Sequence, residues 1–347
     1  MGNKKNVTFS DIAEYTHFSK TTISRYFNNP DSLTLENQQI ISDALEKLNY
    51  KENKVARILA NGKTEFIGVI VPDLYYHYYS EMLNQILSTY EKFGYKFLVF
   101  AGNENEETER HYIQELMAYK IEGLIILSHT IPSKELAELH IPVVTIERED
   151  EYVSSVNTDN YMGGYQATNL LIRHNCTALI HINSLTAENC PAYGRIQSFK
   201  DLCSEKNLEP HIYIHDMGHN YESIYKALLP IVEEIDIKFH GQKKGIFISS
   251  DTLANVLLNI IIRKYGTLPD DYLIIGFDNS PISSEAIIPI STIGQQIDVI
   301  AYEAVNLLVN QMNERKKRKP VISEQPVHKI VTPILIRRET TEGHSYL

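Results

Sequence analysis

Short apolar runs alternate, from Phe66 onwards, with longer stretches in which apolar residues recur at helical spacing. The runs are FIGVIV, KFLVFA, GLIIL, PVVTIE, TALIHI, HIYIH, GIFISS and YLIIGF, and a last one, ILIRR, lies near the end of the chain. This alternation is typical of parallel sheets covered by helices. Eight runs are too many for one small sheet, so the pattern predicts an α/β body of two lobes. Ligands of such folds bind in the crevice at the carboxyl ends of the strands.

The first fifty residues have a different pattern, which predicts an all-helical segment. Thr8 is a good N-cap with Asp11 three residues later, and Ser19 caps a second short helix in which Ile23, Tyr26 and Phe27 repeat at helical spacing. Two short helices across a tight turn indicate a helix-turn-helix, whose second helix would lie in the DNA major groove. An amphipathic helical hairpin from another helical module would leave the same pattern.

Polar side chains along this segment suit DNA. Lys20 and Arg25 can donate to guanine edges, and Asn28 can pair with adenine. The hydroxyl groups predicted to contact the DNA backbone are those of Thr8, Ser19, Thr21, Thr22 and Ser24.

The next segment favours the interpretation of the first fifty residues as a DNA-binding unit. Thr34 can cap a third helix, and its predicted buried stripe comprises Ile40, Ile41, Ala44, Leu45 and Leu48. The motifs VTFSDIAEYT, KTTISRYFN, LNYKENKVARILA and FIGVIVPD then follow one another in order. At these spacings the chain resembles the lactose-repressor/galactose-repressor (LacI/GalR) family of bacterial transcription regulators, over nearly all of its length.

The resemblance implies three parts: a helix-turn-helix headpiece over residues 1–50, a hinge over 51–62, and a two-lobed, periplasmic-binding-protein-like body over 63–347. In the family, the hinge becomes helical over the DNA minor groove when two subunits meet. The resemblance implies a homodimer on an approximately palindromic operator, with Leu59 as the apolar wedge in the central base step. The other hinge residues implied to contact DNA or the partner hinge are Asn53, Val55 and Ala56. A plain linker is the alternative for this segment.

The resemblance also implies a ligand pocket in the body. Its residues would be Tyr78, Tyr79, Asp159, Arg195, Ser250, Asp278 and Gln295. Aromatic faces stack on sugar rings, and an arginine fork suits paired hydroxyls or a carboxylate. Core tyrosines and a turn aspartate are the alternatives for Tyr78, Tyr79 and Asp278.

Some positions depart from the family pattern. His17 stands where the helix-turn-helix turn usually has glycine, and a left-handed residue there would cost about 1 kcal/mol. Residues 219–225, HNYESIY, lack the usual glycine, which leaves Met217 and His219 as candidates for the pocket residue of this loop. His211, His215 and His219 have helical metal-ligand spacing, but HIYIH alternates like a strand, so no metal site is expected.

Charge distribution, cysteine content and the lack of a long apolar run are consistent with a DNA-binding regulator. The net charge of −11 is distributed unevenly, with about +1 on residues 1–60 and −12 on the remainder, so the headpiece is the less acidic part. Cys176, Cys190 and Cys203 lack metal-ligand spacing, and their odd number suits a reducing cytosol. No apolar run is long enough to cross a membrane and no signal segment is present, so a cytoplasmic, nucleoid-associated protein is expected.

The sequence thus predicts a DNA-binding repressor of carbohydrate-utilisation genes, released by a small sugar or sugar-derived effector, with no cofactor and no enzymatic activity. A regulator that needs a non-sugar corepressor, such as a nucleobase, is the first alternative. A cytoplasmic α/β enzyme with a fused helical domain is the second, but no catalytic motif supports it.

Overall fold

The structure is a computed structural model that describes residues 7–51, 64–319 and 325–343. The chain divides into two compact units, Met1–Lys63 and Thr64–Leu347. The predicted hinge residues Asn53, Val55, Ala56 and Leu59 lie outside the described residues.

The first unit contains three α-helices among its described residues: α1 (Phe9–Thr16), α2 (Lys20–Asn28) and α3 (Leu35–Lys47). Local hydrogen bonds fix where α1 and α2 begin. Thr8 and Asp11 form a reciprocal capping box, and the Ser19 hydroxyl accepts from the Thr22 amide at 3.1 Å. His17 ends α1 in the left-handed conformation, with φ 56°, as its replacement of glycine predicted.

A small core holds these helices together. Ile12, Ile23 and Ile41 are fully buried, and the rings of Phe9 and Phe27 stack with their centroids 5.0 Å apart. The predicted stripe of α3 is wrong at Ile40, which is 40% exposed. Neighbouring residues of a helix point about 100° apart, so burying Ile41 turns Ile40 towards solvent.

The second unit contains two six-stranded sheets. The first has the order β11-β5-β4-β3-β1-β2 and is parallel throughout. Its strands are β1 (Phe66–Val71), β2 (Lys96–Ala101), β3 (Gly123–Ile126), β4 (Val143–Ile146), β5 (Ser154–Thr158) and β11 (His328–Val331). Its helices are α4 (His77–Ser88), α5 (Tyr90–Phe93), α6 (Glu106–Ala118), α7 (Ser133–Ala137) and α13 (Ile297–Arg315).

The second sheet has the order β12-β10-β9-β8-β6-β7 and is parallel except for β12, which runs antiparallel to β10. Its strands are β6 (Ala178–Ser184), β7 (Pro210–His215), β8 (Lys244–Ile248), β9 (Tyr272–Asp278), β10 (Ser291–Gly294) and β12 (Ile334–Ile336). Its helices are α8 (Asn160–Arg173), α9 (Gly194–Glu205), α10 (Tyr221–Lys238), α11 (Asp251–Tyr265), α12 (Pro281–Glu285) and α14 (Glu339–Glu342).

Each sheet forms one lobe and carries an apolar core on both faces. The chain passes between the lobes three times: after β5, after β10 and between β11 and β12. All eight apolar runs predicted to be strands are strands. The sequence analysis did not identify β5, β10 and β11, whose segments SSVNT, STIG and HKIV are short and rich in small or polar residues. Within the described ranges, no helix is both long and apolar enough to span a membrane.

Candidate functional sites

The outer face of α2 carries the side chains predicted to read DNA. Lys20, Thr21, Arg25 and Asn28 are exposed. The Asn28 amide nitrogen donates to the Ser24 carbonyl at 2.9 Å and to its hydroxyl at 3.1 Å. Contact between Asn28 and a base would therefore require these local bonds to be exchanged.

The predicted DNA-contacting hydroxyls of Thr8, Ser19 and Thr22 have local partners. Thr8 donates its hydroxyl to Asp11 at 2.7 Å, and the hydroxyls of Ser19 and Thr22 lie 2.9 Å apart. These groups position the starts of α1 and α2, so any phosphate contact would be additional to their role as helix caps.

A cleft of about 790 Å³ lies between the two lobes, at the carboxyl ends of their strands. Its walls come from the segments that follow β1, β2, β3, β4, β6, β7, β8 and β10 and from the last residues of β4, β6 and β9. Six of the seven predicted pocket residues line it: Tyr78, Tyr79, Arg195, Ser250, Asp278 and Gln295. The topology therefore brings together residues that lie more than 200 positions apart.

Asp159 is the predicted pocket residue that does not line the cleft. Its carboxylate turns back and accepts from the amide of Met162 at 2.9 Å, which caps α8. The neighbouring Asn160 does not line the cleft either, but it is buried and accepts from the cleft residue Arg195. Helix phase separates the two side chains.

Arg195 is buried and rigidly held. Its Nε donates to Asn160 Oδ1 and its Nη1 to the Ser249 carbonyl, both at 2.7 Å. The guanidinium carbon lies 3.6 Å from the centroid of the Phe277 ring. Two short bonds and an aromatic face fix the orientation of this arginine before any ligand arrives.

Glu147 is a cleft carboxylate that the sequence analysis missed. It follows β4, lies in a left-handed conformation with φ 57°, and is buried. Its two oxygens accept from the Thr158 amide at 2.5 Å and from Asn160 Nδ2 at 2.7 Å. Glu147, Asn160 and Arg195 therefore form a hydrogen-bonded chain. A carboxylate directly after an apolar run, here PVVTI, is the sequence signal that could have found Glu147.

Asp278 has an unsatisfied oxygen. Oδ1 accepts from Gln295 Nε2 at 2.6 Å, whereas Oδ2 is buried and has no hydrogen-bond partner among the described residues. Its φ of 118° is strained for a residue with a side chain, and such strain concentrates at functional sites. Burial raises the pKa of Asp278 to about 7, although Arg195 opposes the shift. The buried Asp251 lies close by, and burial followed by the charge of Asp278 raises its pKa as well.

Tyrosines from the first lobe form an aromatic wall. Tyr78 is buried, and its hydroxyl has no partner among the described residues. The rings of Tyr78 and Tyr79 meet edge to face, with centroids 5.3 Å apart. Burial raises the pKa of both hydroxyls, so both rings stay neutral and can donate a hydrogen bond.

Three first-lobe residues reach the second lobe at one rim of the cleft. The Tyr76 hydroxyl donates to the Gly218 carbonyl at 3.0 Å, and the His77 amide donates to Thr252 Oγ1 at 3.1 Å. His219 Nδ1 lies 3.2 Å from Asp73 Oδ2. Both candidates for the pocket residue of this loop, Met217 and His219, line the cleft.

The same rim contains three possible metal ligands, Asp73, Glu104 and His219, whose donor atoms all lie within 4.8 Å of one another. The two ring nitrogens of His219 face different carboxylates, at 3.2 Å for Asp73 and 3.5 Å for Glu104. A metal would need one nitrogen and both carboxylates around a common point. The observed geometry suits an imidazole that bridges two carboxylates.

A helix-turn-helix unit and a two-lobed ligand-binding unit together define a ligand-responsive, DNA-binding regulator. Residues 64–220 match the family described as periplasmic binding proteins and sugar binding domain of LacI family, and residues 168–341 match the periplasmic binding protein-like domain family. The chain belongs to the LacI/GalR family of transcription regulators. It is a carbohydrate-related transcriptional repressor, as the sequence predicted.

The chain is similar to the ribose operon repressor of Halalkalibacterium halodurans, at 28% identity over 97% of each chain. It is also similar to a LacI transcriptional regulator from Alkaliphilus metalliredigens in complex with D-xylulofuranose. That match has 26% identity and a TM-score of 0.69, and it covers 80% of this chain and 98% of that one. The fold matches the lac repressor dimer bound to operator and an anti-inducer, with a TM-score of 0.80 at 19% identity over 97% of this chain and 99% of that one.

Proposed function

We propose that this repressor binds an approximately palindromic operator as a homodimer and leaves it when a small sugar binds in the cleft. The observation that carries the effector assignment is the pair of buried, unpartnered polar atoms, Asp278 Oδ2 and Tyr78 Oη. Unsatisfied buried groups cost about 1–3 kcal/mol each, and a ligand hydroxyl offers both a donor and an acceptor. A sugar would satisfy both groups and stack on the tyrosine wall.

The proposal assigns DNA reading to the exposed face of α2, chiefly to Lys20, Arg25 and Asn28. Residues 1–50 would act as the headpiece, 51–62 as the hinge and 63–347 as the effector-binding and dimerisation body. Two headpieces on a dimer place two recognition helices at successive half-sites, which is why the operator is expected to be palindromic. Such a protein would work in the cytoplasm on the bacterial chromosome.

Coupling would run through lobe closure. A sugar that contacts both lobes stabilises one lobe arrangement, and that arrangement would separate the two hinges of the dimer. In that case Leu59 would lose its place in the minor groove. By reciprocity, operator DNA must weaken sugar binding by the same factor as sugar weakens DNA binding.

The test starts with selection of duplexes from a random DNA pool by the full chain. The selected operator is then titrated with and without sugars that raise the melting temperature of the protein. Weaker operator binding with sugar supports the proposal, tighter binding would reverse the sign of coupling, and no change would refute it.

Arg25→Ala serves as the DNA-reading variant in the same assay. It should lose about 1–3 kcal/mol on the selected operator and relax the preference at one base pair, because a single arginine fork reads one guanine. Arg173→Ala, on an exposed face of the body, is the matched control. Equal operator preference in Arg25→Ala and the parent would remove Arg25 from the reading face.

A further inference from the structure

The cleft lining is strongly acidic. Two arginines, Arg148 and Arg195, contribute positive charge, and no lysine occurs among the described residues that line the cleft. Six carboxylates line the same space: Glu104, Glu147, Glu149, Asp150, Asp216 and Asp278.

Neutral donors satisfy several of these carboxylates without adding positive charge. Asn157 Nδ2 donates to Glu149 at 2.8 Å, and the Gly218 amide donates to Asp216 at 3.0 Å. The Tyr152 amide donates to Asp150 at 2.9 Å. The negative potential of the cleft is therefore not cancelled by its own hydrogen bonds.

The two arginines are themselves held by the protein. Both short bonds of Arg195 go to Asn160 and the Ser249 carbonyl. Arg148 Nε lies 3.7 Å from Asp150 Oδ2, and its Nη1 donates to the Ser128 carbonyl at 3.4 Å. Burial lowers the pKa of Arg148, and Asp150 opposes this shift. Arg148 thus offsets a neighbouring acid and leaves the cleft with an excess of negative charge.

Helix N-termini are other common phosphate sites, and protein acceptors already lie at the starts of α4, α8 and α11, of which α8 begins with residues that do not line the cleft. Asp73 accepts from the amides of Tyr75 and Tyr76 before α4. Asp159 caps α8, and Ser250 caps α11. The first turn of α11 also carries a buried carboxylate, Asp251.

We infer that the effector is an unphosphorylated sugar, neutral or amine-bearing, and that the cleft rejects the corresponding sugar phosphates. This inference rests on the proposed function, which makes the cleft a sugar site. A phosphate ester carries about −1.5 to −2 charges at neutral pH, so it would enter a space in which six acidic side chains face two arginines. Like-charge juxtaposition is an effective way to exclude a close analogue.

The first test compares matched pairs by calorimetry and melting temperature at low ionic strength, where charge discrimination is strongest. The pairs are ribose with ribose 5-phosphate, glucose with glucose 6-phosphate, and glucosamine with glucosamine 6-phosphate. For every pair in which one member binds, the unphosphorylated member should bind at least about tenfold more tightly, as expected for one to two unfavourable charge contacts. A phosphate ester that binds as tightly as its parent sugar, or more tightly, would overturn the inference.

The double variant Glu149→Gln with Asp216→Asn removes two negative charges from the cleft. It retains an oxygen acceptor for both observed hydrogen bonds. It should raise the affinity ratio of phosphate ester to parent sugar by roughly tenfold. The matched control, Glu115→Gln with Glu233→Gln, removes the same charge from exposed positions that do not line the cleft. An equal rise in both double variants would show that net charge alone acts, which contradicts a role for the cleft.

If no sugar binds, that result counts against the sugar-responsive function. Binding of inorganic phosphate then tests the charge inference independently of any sugar. Its binding is followed by phosphorus-31 line broadening. Absence of binding in the parent, with binding in Glu149→Gln/Asp216→Asn, supports the charge inference without any sugar. Binding in the parent that Arg148→Gln removes would overturn it.

Discussion

Replacing Asp278 with asparagine removes the charge of this buried carboxyl while keeping its shape. Asparagine Oδ1 can still accept from Gln295 Nε2, the bond seen at 2.6 Å. The unpartnered Oδ2, however, becomes an amide that donates. The variant therefore isolates the energetic consequence of ionising Asp278 in its buried site.

The magnitude follows from the pKa of Asp278, which burial raises from 3.8 to about 7. Each pKa unit corresponds to about 1.4 kcal/mol, so the full difference is about 4 kcal/mol. For an acid with a raised pKa, the folded state binds more protons than the unfolded state between these two values. Stability from this group is therefore present below pH 4 and is lost as pH rises through 7.

The assay is urea unfolding of parent and Asp278→Asn between pH 4.5 and 8.5, followed by far-UV circular dichroism because the chain has no tryptophan. The stability of the parent relative to the variant should fall by about 3 kcal/mol as pH rises from 4.5 to 8.5, because part of the full difference lies below this range. Asp216→Asn, an exposed cleft substitution, is the control for a missing carboxylate. A parent–variant difference that stays constant across this range would refute the raised pKa of Asp278.

Two further substitutions test the geometry. Arg195→Lys keeps the charge but cannot reproduce both 2.7 Å bonds to Asn160 and Ser249, so it should cost about 2–4 kcal/mol of body stability in urea; a loss no larger than that of the exposed Arg173→Lys would contradict the clamp. His17→Gly should relieve the left-handed strain at the end of α1 and stabilise the first unit by about 1 kcal/mol. Hydrogen exchange of α1 and α2 amides in the full chain measures this, and faster exchange in the glycine variant would show that the strain is compensated elsewhere.

Features that depend on neighbours along the chain could be predicted from the sequence alone. The capping box of Thr8 and Asp11 joins residues three positions apart, and the left-handed turn at His17 was expected because the family usually has glycine at this position. The eight apolar strands could also be predicted from the sequence, because burial on both faces of a parallel sheet requires continuous apolar runs. Strand β5 was not predicted, because its segment SSVNT is buried in the sheet without being an apolar run.

The set of polar side chains that meet in the cleft could not be predicted from the sequence, because it depends on the three-dimensional arrangement of the strands. Asp159 and Asn160 are adjacent in sequence, yet capping turns one back onto α8 and helix phase directs the other to Arg195, 35 positions away. The acidity of the cleft likewise arises from loops that follow different strands in two lobes, and no local pattern records their convergence. Propensity and capping act over a few residues, whereas the charge and hydrogen bonding of a cleft depend on strand order, which the whole chain sets.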